Sequence, residues 1–121
     1  MDRAYELIGR PYKKGGMSEE TGFDCSGLLV YLYKSVAGLK LPRTTKGMLA
    51  KHDTTVSRNE LQPGDVVFFS RNGTDQVGHV GLYIGNNYFI HAPRAGKHIR
   101  ISSLVESYWR RSYLTARNFG D

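Results

Sequence analysis

One cysteine and four histidines are the residues most able to do covalent or proton-transfer chemistry in this 121-residue chain. The cysteine stands in Phe23-Asp24-Cys25-Ser26-Gly27, at the start of a segment whose Leu28, Tyr31, Leu32 and Val36 recur at helical spacing. Asp24 suits the cap of that helix and Gly38 its C-terminal stop. A cysteine in the first turn meets unpaired backbone N–H groups and the positive end of the helix dipole, which favour thiolate over thiol. The same N–H groups can donate to an oxyanion forming on an attacked carbonyl. Ser26 and Gly27 are small and leave room for a substrate at the sulfur. A cysteine that only packs would sit more naturally on the Leu28/Leu32 face.

A thiol nucleophile needs a base, and the base needs a third group to hold it. His79 lies in Gly78-His79-Val80-Gly81, at the start of an alternating segment whose Val80, Leu82 and Ile84 form an apolar face. Its imidazole is expected to project away from that face, out of the core. His91, on the return strand after the turn signal Gly85-Asn86-Asn87, is the candidate orienting group. Two registers are open. Pairing of Ile84 with Tyr88 puts Gly81 opposite His91 and both histidines on one face. A tight Asn86-Asn87 turn puts Leu82 opposite His91, and a β-bulge is then needed to bring the rings together. His52 and His98 fit no part of this pattern and read as surface residues.

These residues must be positioned by a modest set of elements. A short helix is expected over Asp2 to Ile8, a polar loop over Lys13 to Gly22, and the cysteine helix after it. A second short helix follows Pro42, capped by Thr44 or Thr45 and ending near Lys51. Beyond Gln62-Pro63-Gly64-Asp65, whose aspartate closes the turn, strands are expected at Val66–Phe69, His79–Ile84, Tyr88–Ala92, His98–Ile101 and Ser112–Arg117. A short helix is expected around Leu104 to Tyr108. The tyrosines and phenylalanines fall mostly on predicted helix and strand faces and read as core. Helices first and an antiparallel sheet afterwards is an α+β arrangement, and 1–121 reads as one domain with no linker or repeat.

The strings around these residues are specific in their joint order and spacing. Gly9-Arg10-Pro11-Tyr12, Gly15-Gly16, Phe23 to Leu28 and Leu41-Pro42-Arg43-Thr44 come first. Pro63 to Phe69, Gly78 to Gly85 and Ile90-His91-Ala92 follow. The chain resembles the NlpC-type cell-wall cysteine peptidases, a papain-like superfamily, from about Gly9 to the last predicted strand. The resemblance implies a papain-like fold with Cys25 as nucleophile, His79 as base and His91 as third polar group. It also implies Tyr12 beside the nucleophile, with Asp24, Ser26 and Arg43 lining the groove to meet charged groups of a peptide stem. Asp24 as a helix cap and Arg43 as a surface charge are the competing readings. Lys14 stands where the family usually places an aromatic residue, which bears on the shape of the groove.

The activity so implied is a cysteine endopeptidase or amidase, without cofactor or metal, acting on peptidoglycan. The bond between diaminopimelate and D-alanine in a cross-link is the first expectation, and that between D-glutamate and diaminopimelate the second. An inactive wall-binding module and an acyltransferase on the same fold are the rivals. One cysteine excludes a disulfide framework, and no His-Glu-x-x-His string or cysteine pair supports a metal site. Seventeen basic and eleven acidic residues give +6. With ten and seven of these in residues 1–60 and seven and four in 61–121, both halves are equally basic. Even positive charge favours encounter with anionic polymers, but no basic stripe interleaved with aromatics points to nucleic acid. No apolar run approaches a membrane span of ~20 residues. The expected partners are peptidoglycan stem peptides and, for a monomer delivered as an interbacterial toxin, a cognate inhibitor protein. The expected place of action is the periplasm or cell wall. Met1 to Arg10 lacks the apolar stretch and cleavage site of a signal peptide, so either a leader has been trimmed or delivery is non-classical.

Overall fold

The computed structural model describes residues 2–51, 54–70, 76–93 and 96–119. Ahead of the main sheet in sequence come α1 (Asp2–Glu6), β1 (Met17–Ser18), β2 (Gly22–Phe23), α2 (Cys25–Leu32) with its π-helical continuation Tyr33–Ala37, and α3 (Thr45–Ala50). The remainder is β3 (Thr54–Thr55), β4 (Val66–Ser70), β5 (Val77–Gly85), β6 (Tyr88–His91), β7 (Arg100–Ser103), α4 (Ser107–Ser112) and β8 (Tyr113–Asn118). β3 to β8 form one antiparallel sheet in the order β3-β8-β4-β5-β6-β7. The α+β architecture expected from the sequence is present.

Asp24 caps α2: its backbone is extended and its carboxylate accepts from Gly27 N at 2.7 Å. Ser26 to Val30 and Leu32 are all buried, so the helix is nearly wrapped rather than striped. From Tyr33 to Ala37 it widens into a π-helical turn that ends on Gly38, at φ 68°. The wider turn rotates later side chains off the core face. Val36, expected on that face, is accordingly 61% exposed.

The sheet is covered on both sides. On one face Val66, Phe68, Val80, Leu82 and Ile90 pack against Leu28, Leu29 and Leu32. On the other, Val67, Phe69, Tyr83, Phe89 and Ala116 form a second cluster under Trp109 and Leu104. Burying each such side chain contributes roughly 1.5–3 kcal/mol. All five phenylalanines are buried as expected, whereas Tyr5, Tyr88 and Tyr108 are exposed.

Further sequence expectations change, among them the strand expected at His98–Ile101, which runs over Arg100–Ser103. The polar loop at Lys13–Gly22 contains the β1–β2 hairpin. The helix expected at Leu104–Tyr108 begins at Ser107 instead, because Leu104 is a core residue under the sheet and the chain turns only after it. His79 leaves the α2-facing core as expected, but not toward open solvent, since the face it joins has its own aromatic layer. Asp65 does close its turn, accepting from Gln62 N at 2.9 Å.

Candidate active site

Cys25 is the first residue of α2 and lies where that helix meets β5 and α3. Its backbone is held close to the Gly15-Gly16 turn. Asp24 N donates to Gly16 O, and a Cβ on Gly27 would overlap that same oxygen. Glycine at 27 is therefore required by the close approach. The half-buried sulfur has three hydrogen-bonding neighbours: Thr45 Oγ1 at 3.8 Å and the backbone N–H groups of Ser26 and Val80. Val80 directly follows His79, which ties the cysteine to the first turn of the β5 path.

The hairpin resolves the two registers in an instructive way. Gly85 pairs with Tyr88 across a two-residue turn, and both Asn86 (φ 54°) and Asn87 (φ 69°) are left-handed. That is the conformation asparagine tolerates in tight hairpins. A bulge at Ile84 then shifts the ladder so that Leu82 faces Ile90. Continued one step, this register sets Gly81 opposite His91. The tight turn and the bulge occur together, and the rings meet: His79 Nε2 lies 2.8 Å from His91 Nδ1. Gly81 has to lack a side chain because a Cβ there would come within 2.6 Å of the Phe89 ring.

A further hydrogen bond extends the chain. His91 Nε2 lies 2.8 Å from Ser102 Oγ on β7, and both residues are buried. One tautomer assignment makes His79 a base. His91 Nε2–H donates to Ser102, His79 Nε2–H donates to His91 Nδ1, and His79 Nδ1 keeps a free lone pair. Around these rings stand Trp109, stacked on His79 at 5.5 Å and edge-on to His91 at 4.9 Å, together with Phe69 and Phe89.

This enclosure sets the protonation states. Burial pushes His79 down from 6.5 to about 4, and burial, then His79 and Arg100, push His91 down as well. Burial also raises the Cys25 thiol above its ordinary 9.0, with Asp24 adding to the rise. Thr45 and the Ser26 and Val80 N–H groups oppose it without winning. Burial thus acts against the thiolate expected at the helix start, favouring the thiol at Cys25 and the neutral ring at His79.

Three of the secondary candidates come together around the residues that flank Cys25. Arg43 reaches Asp24 with both guanidinium nitrogens (3.2 and 3.0 Å) and Ser26 Oγ at 2.8 Å. Asp24 therefore serves as cap and as ion-pair partner at once. Tyr12 is half-buried, and burial raises its hydroxyl, with Cys25 and Asp24 adding to the rise and Arg43 opposing it. Tyr12 and Cys25 both pack against the larger core cluster. Lys14 is exposed beside the Gly15 turn. His98 is exposed, in agreement with the sequence reading, and His52 lies outside the described residues.

Residues 9–118 match the NlpC/P60 family. The chain belongs to that family. Murein DD-endopeptidase MepH of Escherichia coli (strain K12) is 47% identical over 118 residues, covering 97% of this chain and 44% of that protein. A gamma-DL-glutamyl hydrolase of Bacillus subtilis (strain 168) is 38% identical over 119 residues, covering 98% of this chain and 28% of that protein. This NlpC/P60 chain thus spans less than half the length of either relative. An NlpC/P60 family protein from Bacillus cereus ATCC 10987 superposes with a TM-score of 0.91 at 34% identity, over 99% of this chain and 39% of that one. The NlpC/p60 domain of peptidoglycan hydrolase SagA does so with 0.82 at 30% identity, over 98% of this chain and 94% of that one. The papain-like fold expected from the resemblance is the one these structures share.

Ser102, Thr45 and Trp109 were not legible as site residues in the sequence. Ser102 is one of many serines until β7 is known to run beside β6. With Phe89 opposite Ser102, residues 91 and 102 become diagonal neighbours on one face. Trp109 is distant in sequence from both histidines, and only the fold of α4 against the sheet brings it over them. Among the described residues, no group of three or more metal-ligating side chains is found, and no helix is long and apolar enough to cross a membrane.

Proposed function

We propose that this chain carries the catalytic machinery of a peptidoglycan endopeptidase that uses Cys25 as nucleophile and His79 as base. The observation that carries the reading is the hydrogen-bonded series from Ser102 through His91 to His79. It ends one residue before the Val80 N–H that contacts the cysteine sulfur. A series of this kind holds one imidazole in the base-competent tautomer.

The chemistry follows from neutral partners. As the sulfur approaches an amide carbon, the thiol proton passes to His79 Nδ1 and an S–C bond forms. The negative charge moves to the carbonyl oxygen, where the Cys25 backbone N–H and the Tyr12 hydroxyl can donate. Collapse breaks the C–N bond, and the amine leaves with the proton from His79. Water then gives a proton to His79 and attacks the thioester. The acid is released and the sulfur regains its proton. His91 and Ser102 make no bonds to substrate in this scheme. They keep His79 oriented and accept the charge that it transiently carries. The Asp24–Arg43–Ser26 group forms the acyl-side wall.

The 47% identity to a murein DD-endopeptidase favours the cross-link between diaminopimelate and D-alanine as the bond cut. The reading places the protein's work in the periplasm or cell wall, as a monomer that remodels the wall. Digestion of purified peptidoglycan followed by mass analysis of the fragments tests it. Cross-linked dimers should fall to monomers with wild-type protein and stay intact with Cys25→Ala. Release of fragments by the Cys25→Ala protein at the wild-type rate would overturn the assignment.

A further inference from the structure

Against His91 and Ser102 is a cavity of about 340 Å³. His91, Ser102, Trp109 and the exposed Tyr108 line it, and Lys97 and Arg100 bring two positive charges to it. Arg43 already has the Asp24 carboxylate as partner. Lys97 and Arg100 make no ion pair among the described residues. The cavity has no acidic lining residue to balance them.

Its place relative to the sulfur follows from two connections. Lys97 O accepts from Tyr12 N at 3.0 Å, and Tyr12 packs against the same core cluster as Cys25. His91, on the other wall, is bonded to His79. The cavity therefore borders the ring that is bonded to the base. In acyl transfer to a cysteine the leaving nitrogen must collect its proton from the same imidazole. The leaving amine and what it carries consequently lie on the His79 side, and the acyl part lies toward Asp24 and Arg43.

We infer that the cavity lined by Lys97, Arg100 and Tyr108 is an anion subsite that binds a carboxylate carried by the leaving-amine residue of the substrate. This rests on the proposed endopeptidase reading and gives it a specificity. Diaminopimelate that donates its side-chain amine to a cross-link bears a carboxylate beside that nitrogen. A wall in which this carboxylate is amidated would lose the contact. Two cations on a partly desolvated carboxylate give charge-assisted hydrogen bonds, whose loss typically weakens binding by about tenfold or more.

The test is equilibrium binding, by calorimetry, of two probes to the Cys25→Ala protein, in which hydrolysis plays no part. One probe is N-acetyl-D-alanine joined through its carboxyl to the side-chain amine of diaminopimelate. The other is the same compound with the carboxyl beside that nitrogen converted to carboxamide. The carboxylate probe should bind at least about tenfold more tightly, and Lys97→Gln with Arg100→Gln together should erase the difference by weakening the carboxylate probe more than the carboxamide. Equal binding of the two probes, or a preference that survives in the double variant, overturns the subsite. Hydrolysis of the carboxylate probe by protein with Cys25 intact is measured separately. A protein that binds with the expected preference and cuts nothing would refute the endopeptidase reading and leave the subsite standing.

Discussion

Acid should weaken this fold through the histidine pair before it reaches the ordinary carboxylate range. Both imidazoles are held neutral by burial in the folded protein, His79 down to about 4 and His91 lowered too. In the unfolded chain each would titrate near 6.5. Between those values the unfolded state binds more protons than the folded one, so unfolding free energy rises with pH and falls as pH drops through 6.5. From pH 7 to pH 5 an imidazole kept neutral loses about 2 kcal/mol, and the two together about 4 kcal/mol. That is a large share of the 5–15 kcal/mol typical of a small protein. Asp65, whose carboxyl burial raises, works in the opposite direction as acid protonates it in the folded state. The clean measurement is therefore a difference. Urea unfolding is followed at pH 7 and pH 5 for wild type and for His91→Asn, which keeps polar atoms near Ser102 but cannot titrate. Wild type should lose about 2 kcal/mol more than the variant over this interval. Equal losses would mean that His91 is not held neutral, and the account of the site's electrostatics would fail with it.

Other perturbations separate the site's parts. Ser102→Ala removes the partner of His91 Nε2 and leaves a buried ring nitrogen unpaired, which should cost about 1–3 kcal/mol in unfolding free energy. Peptidase activity should fall in kcat more than in KM, since Ser102 steadies the base without touching substrate. Asp24→Ala removes both the cap of α2 and the partner of Arg43; thermal unfolding should show about 1–2 kcal/mol of destabilisation. Expression in the bacterial cytosol should be tolerated, whereas the same chain addressed to the periplasm by an added leader should lyse the cells. Lysis by the Cys25→Ala protein would show that the wall is not the target.

The parts of the fold legible in the sequence were those fixed by local chemistry. Asp24 before a buried run, glycine at 38, and Asn86-Asn87 between two apolar strands each name their own backbone state. The placement of Cys25 at a helix start and of His79 and His91 on one hairpin was legible from the cap residue, the apolar spacing and the turn signal. The bulge was legible only as a condition of the tight Asn86-Asn87 turn, and neither the turn nor the bulge's place at Ile84 could be chosen from the sequence. Both registers bring the rings to one face, one with a three-residue loop and one with a bulge, and only the folded sheet selects between them. Ser102 and Trp109 were hidden for a related reason, since each becomes a neighbour of the histidines only after β7 and α4 have folded back. Val36 shows the opposite failure. Helical periodicity carried it onto the core face, and the π-turn beginning at Tyr33 took it off.

The sign of the cysteine's shift turns on competing magnitudes. A helix N-terminus stabilises a nearby negative charge by about 0.3–1 kcal/mol, and up to ~2 kcal/mol where partly buried. Desolvation of a buried ionisable group can reach 3–5 pKa units, or roughly 4–7 kcal/mol. Cys25 lies under both influences, with the Asp24 carboxylate adding to the second, and burial wins. The base is shifted the other way by the same cause, so the resting protein has nothing to gain from transferring the proton. An ion pair preformed between sulfur and imidazole would show as an iodoacetamide rate that levels off already near pH 6. A neutral pair predicts a rate that keeps rising through pH 8 and is slower at pH 7 than that of a simple thiol, because so little thiolate is present. Replacing His79 with Ala should leave this resting profile nearly unchanged while abolishing turnover, since the imidazole acts only when a carbonyl draws the charge off the sulfur. A plateau at acidic pH that disappears in His79→Ala would refute the neutral pair and restore the thiolate that the helix position alone suggests.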